Sequence, residues 1–238
     1  MNVLDRLWDH VYASQPAPPA WVVGVTALAA LLLVLNTASW RLAGQVITIA
    51  HEGGHALVSV LSGRRLEGIR LHADSSGVTY SRGKRRGPGL VLTAAAGYVT
   101  PPLLGAGAAA LLAARHPAAL LWLALVLLAA TFLAVRNAFG ALAVLVTAAG
   151  VFAVSYYASA AVQGGFAYLA AWFLLLGGMR PALELTRRWR RSRSRSSPGL
   201  SDADQLARLT GVSRGVWVTA FVLIATAALA LGARLLIP

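Results

Sequence analysis

Residues 48–58, "TIAHEGGHALV", place two histidines and a glutamate in the middle of the apolar run 42–61. Each ionisable group in a membrane helix costs on the order of 3 kcal/mol on insertion scales, so the retention of three predicts a function. On a helix, His51 and His55 project from one face, one turn apart, which suits two nitrogen ligands of one metal ion. Glu52 lies beside them and can reach water at that metal without ligating it. The stretch therefore predicts a metal site in a membrane helix, with Glu52 as the catalytic residue.

The remaining sequence has the composition of a membrane protein. Of its 238 residues, 58% are hydrophobic and only 12% are charged. A span needs about 20 apolar residues to cross roughly 30 Å of hydrocarbon. We therefore predict an all-α polytopic membrane protein, formed by one domain over residues 1–238, with about seven transmembrane helices. The predicted spans lie near residues 20–39, 42–61, 89–114, 117–135, 138–157, 163–178 and 215–236.

The basic residues predict an orientation. The net charge is +13, and eighteen of the 21 Lys and Arg residues fall in segments that are cytoplasmic if the amino terminus is cytoplasmic. Only Arg41, Arg115 and Arg234 fall outside. The positive-inside rule explains this distribution better than nucleic-acid binding does, so no nucleic-acid partner is expected. The prediction is a cytoplasmic amino terminus and an outside carboxyl terminus, and the arginine-rich, alanine-rich composition indicates a bacterial cell membrane.

The polar residues of the run 42–61 recur at spacings of three and four, so on a helix they form one stripe. A network that joins helices by hydrogen bonds is the alternative to a metal site. Because the chain has no cysteine, a metal must use nitrogen and oxygen ligands, and two imidazoles with a carboxylate favour Zn²⁺. The stripe consists of Gln45, Thr48, His51, Glu52, His55 and Ser59.

A catalytic zinc site needs a third protein ligand, and acidic residues are few. The predicted topology puts the histidines in the inner half of their span, where a cytoplasmic carboxylate can reach them. Ser201 and Asp204 have capping-box spacing, which gives Asp204 a structural role and leaves Asp202 free. We favour Asp202 over Asp204, with Glu184 behind them and His72 as a lesser possibility.

Two cytoplasmic loops are long enough to carry structure. Residues 66–82 alternate apolar and polar side chains around "DSSG" at 74–77, which predicts a short β-hairpin after the second span. An irregular basic loop is the alternative. Residues 187–199, "RRWRRSRSRSSPG", are a block of like charge, which predicts disorder or contact with anionic lipid headgroups.

Together these motifs resemble the site-2 protease family of intramembrane zinc metalloproteases, most closely its small bacterial branch without a PDZ insertion. The resemblance rests on "HEGGH" at 51–55, the basic hairpin loop, and the glycine-rich "AAAGYVTPPLLGAG" at 94–107. It covers residues 40–110 well and extends more loosely to "SDADQLARLT" at 201–210. The chain departs from the better-known members in having no Asp-Gly pair.

The resemblance implies one Zn²⁺ held by His51, His55 and Asp202, with water activated by Glu52. It also implies a membrane-protein substrate. A helical substrate hides its carbonyl groups and must unwind, and the hairpin could accept it as an added strand. Gly97 and the helix-breaking segment 100–102 could open room beside the metal, although close packing and a kink explain them equally. Asn137 could orient substrate, although a helix cap explains it as well.

Two other functions fit parts of the sequence. A catalytically silent, metal-binding membrane scaffold would keep the histidines, but the intact Glu52 argues against it. A transporter or channel could use the polar stripe as an ion path, but the other spans lack paired acidic residues. The leading hypothesis is an intramembrane zinc endopeptidase, and the sequence predicts no oligomeric state.

Overall fold

The computed structural model describes residues 14–192 and 201–237, which form a helical bundle with one small sheet. Two of the described helices flank a break near the start of the chain, and the sheet follows them. The described elements, in chain order, are α1 (Ala20–Leu35), α2 (Thr37–Leu61), β1 (Arg65–Leu71), β2 (Gly77–Arg82), α3 (Pro88–Ala113), α4 (Pro117–Ala134), α5 (Ala138–Tyr157), α6 (Ala160–Ser192), α7 (Asp202–Thr210) and α8 (Arg214–Leu236).

Helices α1 and α2 form a bent pair. They are separated by Asn36 alone and are inclined by 102°. Asn36 ends α1 and caps α2, because its side-chain oxygen accepts from the N–H groups of Ala38 and Ser39. The sequence predicted two separate spans divided near residues 40–41, whereas the break lies before them.

The predicted count of seven spans is not confirmed. Five described helices, α3, α4, α5, α6 and α8, are each long and apolar enough to cross a membrane, and the bent pair can add a sixth crossing. Helix α1 has only 16 residues, about 24 Å at 1.5 Å per residue, and the polar stripe makes α2 less apolar. The apolar helices support an integral membrane protein.

Helix α1 runs in the same direction as α6. Near the start of both helices, Gly165 packs against Val22. Near their other end, the Arg180 guanidinium donates to the carbonyl of Val34, one of the carbonyls left open where α1 ends. The same guanidinium lies 4.4 Å above the ring of Trp40, so Arg180 connects both members of the bent pair to α6.

Helix α8 runs opposite to α6. Gly215, at the start of α8, packs against Trp189 near the end of α6, and Gly232 packs against Leu175 further back along α6. The last turn of α8 therefore lies toward the end of the bundle where α6 begins.

The two described ends of the chain consequently lie at the same end of the bundle. The N–H of Gln15 donates to the carbonyl of Arg115 at the turn between α3 and α4, at 2.9 Å. The prediction of termini on opposite sides of the membrane depends on the number of crossings. It counted α1 and α2 as two crossings, and the bent pair counts at most once.

Helix α6 is longer than the predicted span 163–178. It continues to Ser192, so the first six residues of the predicted disordered loop 187–199 are helical. Arginine is a good helix former, and no glycine or proline interrupts this stretch. Residues 193–199 lie outside the described part of the chain.

The sheet is the predicted antiparallel pair of strands. Its register pairs Leu71 with Gly77 and Ile69 with Thr79. Ile69 and Leu71 are fully buried among side chains of α2, α4 and α5, including Val144. The sheet is therefore packed into the helical bundle instead of lying on its surface as a free loop.

Helix α3 passes through Pro101 and Pro102 without ending, so the helix-breaking segment 100–102 does not interrupt the predicted span 89–114. The two prolines leave the carbonyls of Gly97 and Tyr98 without their usual intrahelical donors. Pro102 packs against Gly178, so the close contact between α3 and α6 holds this segment in place.

Candidate metal centre

The structure brings together His51 and His55 of α2 and Asp202 of α7. The Asp202 Oδ2 atom lies 3.2 Å from Nε2 of His51 and 3.3 Å from Nε2 of His55. The two Nε2 atoms are 3.2 Å apart. Bonds of about 2.05 Å in a tetrahedral arrangement separate zinc ligands by about 3.3 Å. The three atoms therefore already have the spacing of one face of a tetrahedral zinc site.

The orientation of His55 leaves its Nε2 atom available to bind a metal. Its Nδ1 lies 2.6 Å from the carbonyl oxygen of Thr93 on α3, and only a protonated Nδ1 can donate to that oxygen. The lone pair of a neutral imidazole is then on Nε2, which faces His51 and Asp202. A second hydrogen bond of this kind commonly orients metal-binding histidines.

Aromatic packing fixes the ring of His51. Its centroid lies 4.9 Å from that of Tyr98 at an interplanar angle of 82°, an edge-to-face contact. Tyr98 in turn stacks on Phe221 of α8, with centroids 4.9 Å apart. Helices α3 and α8 thus hold the imidazole in place through these two ring contacts.

Asp202 owes its position to the short helix α7. The predicted capping box is confirmed, because Ser201 and Asp204 bond each other's main-chain N–H. Ala203 and Leu206 are fully buried against α3, α6 and α8. Burial opposes the ionisation of Asp202, but the two imidazoles beside it outweigh this effect and hold the pKa of its carboxyl well below the usual range.

The alternative third ligands are engaged elsewhere. Asp204 is occupied by the capping box and by Arg214, whose Nε lies 3.2 Å from its Oδ1. Glu184 pairs with Arg180 at 3.0 Å. His72 lies in the turn of the hairpin, with its Nδ1 3.3 Å from the hydroxyl of Ser76.

The side chain of Glu52, on α2, is buried against the hairpin. The hydroxyl of Thr79 lies 2.6 Å from its Oε2 and 3.1 Å from its carbonyl oxygen. Gly77 presses on the same side chain, because a Cβ there would lie 2.6 Å from Glu52 Cγ and 2.8 Å from Oε1. One carboxylate oxygen is therefore held by Thr79, and only a glycine fits at position 77.

The rest of the polar stripe holds the hairpin turn. Gln45 Nε2 donates to the carbonyl of His72 at 3.0 Å, and the hydroxyl of Thr48 donates to the carbonyl of Ser75 at 3.0 Å. Within the described residues, the buried hydroxyl of Ser59 has no hydrogen-bond partner. The stripe therefore has two parts: one part holds the hairpin turn, and the other faces Asp202.

Gly97 and Asn137 occupy different places. A Cβ at Gly97 would overlap the Nε2 atoms of both His51 and His55, so this glycine leaves space directly over the potential ligands. The amide of Asn137 instead pairs with the main chain of Leu71 on β1. The sequence therefore pointed to two residues of the site region, but only Gly97 contacts the histidines.

The sequence does not single out two further residues of the site, Thr79 and Thr93. Thr93 contributes its main-chain carbonyl, which any residue would supply, so no side-chain signal exists. Thr79 faces inward between the exposed Val78 and Tyr80 on β2, which is the reverse of what their apolar side chains suggest, so no sequence pattern identified it.

Fold and site together define a polytopic helical membrane protein with a His/His/Asp group able to hold one metal ion. The model of the Peptidase M50B-like family matches residues 24–232. The chain belongs to this family, which is the site-2 protease family of membrane peptidases, as its motifs indicated. Its relatives act as metalloproteases on protein substrates in a membrane. No curated protein and no solved structure matches the chain significantly.

Alanine at Gly97 is expected to lower metal occupancy and any metal-dependent activity, because the added methyl group overlaps both imidazole nitrogens. Metal analysis of the purified variant measures this. Gly107→Ala in the same helix is the matched control, since nothing lies within 4 Å of a Cβ there. Equal metal content in the two variants would contradict the placement of the site beneath Gly97.

Proposed function

We propose that the chain is an intramembrane zinc endopeptidase that hydrolyses peptide bonds in or near a membrane-spanning segment of a protein substrate. The observation that carries the proposal is the triangle of His51, His55 and Asp202, with the buried Glu52 adjacent in sequence to one of its histidines. A purified sample should bind one zinc per chain and cleave a transmembrane reporter. A sample that binds zinc and cleaves no such reporter would favour the metal-binding scaffold instead.

The donor set supports zinc. Two imidazole nitrogens and one carboxylate oxygen leave a fourth tetrahedral position open, which is the arrangement of catalytic zinc sites. His51, His55 and Asp202 would hold the ion, and the bound ion would supply Lewis-acid activation of water and of the scissile carbonyl.

Glu52 is the proposed general base. It would take a proton from the attacking water as the oxygen of that water bonds to the carbonyl carbon. It would then give the proton to the leaving nitrogen as the C–N bond breaks. Thr79 would keep the carboxylate in one orientation by donating to Oε2.

The free edge of β2 is the proposed binding place for an unwound substrate. The N–H and carbonyl of Leu71 face Asn137, and the carbonyl of Ile69 faces Arg136, so these groups point away from β2. In an antiparallel pair, the residues opposite them, Gly77 and Thr79, then direct their own main-chain groups to the outer edge.

That outer edge can accept another strand. Among the described residues, no hydrogen bond occupies the main-chain groups of Gly77 or Thr79. Both residues contact Glu52, so a strand added to this edge would place its peptide groups beside the proposed base. Addition to an edge also supplies the hydrogen bonds that an unwound segment needs inside a membrane.

The hairpin end of the bundle is proposed to face the cytoplasm. The hairpin contacts the α4–α5 junction, and α7 reaches the same site, so these three segments share one end of the bundle. Most of the cations of the chain lie there, which the positive-inside rule assigns to the cytoplasm. The arginine-rich and alanine-rich composition supports a bacterial cell membrane.

Valine at Thr79 is expected to lower kcat/KM about 10- to 100-fold, the usual effect of losing an outer hydrogen bond at a metal site. The hydroxyl is lost while the shape of the side chain is kept, so metal occupancy should not change. Thr147→Val is the matched control, because the hydroxyl of Thr147 bonds only to its own helix at Ala143. Equal cleavage by the two variants would remove Thr79 from the proposed mechanism.

A further inference from the structure

Asn137 stands at the helix-capping position of α5 but does not cap it. Its φ and ψ of −141° and 153° are those of an N-cap residue, yet its side chain accepts no hydrogen bond from the first turn. Asn36, at the same position of α2, accepts two such bonds. Asparagine is favoured at this position because of those bonds, so the side chain of Asn137 serves another purpose.

The amide of Asn137 bonds to the edge of β1 instead. Its Nδ2 donates to the carbonyl of Leu71 at 2.7 Å, and its Oδ1 accepts from the N–H of Leu71 at 3.1 Å. Next to it, the N–H of Arg136 donates to the carbonyl of Ile69 at 2.8 Å. The junction between α4 and α5 therefore acts as a third strand beside β1. In this strand, the side-chain amide of Asn137 takes the place of a peptide group.

Two glycines make this contact possible. A Cβ at Gly140 would lie 2.7 Å from Oδ1 of Asn137. Gly68 has a φ of 151°, and a Cβ there would overlap the side chain of Arg136. The close contact between the α4–α5 junction and β1 therefore depends on a glycine on each side.

The hairpin connects the contact between Asn137 and Leu71 to Glu52. Leu71 pairs with Gly77 across the two strands, and Gly77 lies against the side chain of Glu52. A shift of the end of β1 would therefore move both Gly77 and the open edge of β2 relative to that carboxylate.

We propose that Asn137 is a positioning residue that holds the end of β1, and through Leu71 and Gly77 sets the distance between the substrate-binding edge of β2 and Glu52. This inference rests on the proposed function for its effect on catalysis. Asn137 contacts neither the ligand triad nor the open edge, so its effect passes through the hairpin.

Asn137→Ser and Asn137→Asp test this role, because serine and aspartate are both good helix caps. Serine is too short to replace the amide, and aspartate puts an acceptor against the carbonyl of Leu71. We expect both variants to keep their metal and thermal stability. Hydrogen exchange of residues 69–79 should become faster, and kcat/KM should fall about 10- to 100-fold, as expected for a small misplacement near the reacting groups.

Asn36→Ser is the matched control, since it exchanges one helix cap for another and should leave hairpin exchange and cleavage unchanged. Wild-type exchange and cleavage in both Asn137 variants would overturn the proposal, and so would loss of metal. Hydrogen exchange requires no turnover. An inactive wild-type protein would therefore defeat the proposed function, while exchange in the variants would still decide whether Asn137 holds the hairpin.

Discussion

Glutamine at Glu52 is expected to lower the rate of reporter cleavage by at least about 10²- to 10⁴-fold, the range attributed to a general acid–base group. Glutamine has nearly the same shape and can still accept the hydrogen bond from Thr79, but it cannot take a proton from water. Zinc content should stay at the wild-type level, because Glu52 is not part of the His51, His55 and Asp202 group. Cleavage assays and metal analysis on the same preparations measure both effects.

Glu67→Gln provides the matched control for the loss of one carboxylate. Glu67 lies on the hairpin and makes an exposed ion pair with Arg82 at 2.9 Å, so its replacement should leave cleavage unchanged. Equal cleavage by wild type and Glu52→Gln would remove Glu52 from the mechanism. Loss of zinc from Glu52→Gln would show instead that the glutamate helps to hold the metal.

Asparagine at Asp202 is expected to weaken zinc binding by more than about 100-fold, the upper end of the effect of losing an outer partner of a metal ligand. The neutral amide loses the charge that attracts the cation, and two imidazoles alone do not complete a catalytic zinc site. Titration against a chelator of known affinity measures the change. Cleavage should fall with zinc occupancy and recover only in excess zinc.

Asp204→Asn is the internal control, because Asp204 is two residues away on the same helix but bonds to Ser201 and Arg214. This variant should retain zinc. It should lose some thermal stability, since the ion pair with Arg214 is partly buried. The opposite order, with zinc lost from Asp204→Asn and retained by Asp202→Asn, would reassign the third ligand.

The local part of the site could be predicted from the sequence because it lies on one helix. Helical geometry alone places His51, Glu52 and His55 within one turn. Asp202 could be proposed because acidic residues are few and because Ser201 identifies Asp204 as its capping partner. The contact of Asp202 with both histidines, however, depends on the docking of α7, which no local pattern encodes.

Hydropathy did not predict the bend between α1 and α2 at Asn36. Apolar composition gives the length of a buried stretch but not its direction, so residues 20–61 were counted as two crossings. The carbonyl of Val34 accepts a hydrogen bond from Arg180, almost 150 residues later. No residue near the break indicates so distant a donor. The predicted positions of the chain ends depended on that count.

The sequence also could not predict that the hairpin packs inside the helical bundle. Its alternation and its "DSSG" turn indicated two strands. Their contacts with Gln45, Thr48 and Asn137 come from two other elements, α2 and the junction between α4 and α5. An asparagine at the start of a helix is most simply interpreted as a cap, and only the three-dimensional structure shows that its amide has been used elsewhere.

The position of α7 has a consequence for biosynthesis. In the proposed enzyme, His51, Glu52 and His55 leave the ribosome about 150 residues before Asp202 does. During that interval, two histidines and a general base are in the membrane without the carboxylate that completes the metal centre. Proteolytic competence would therefore be reached only after α7 has been translated and docked, which would protect neighbouring membrane proteins from an unfinished protease.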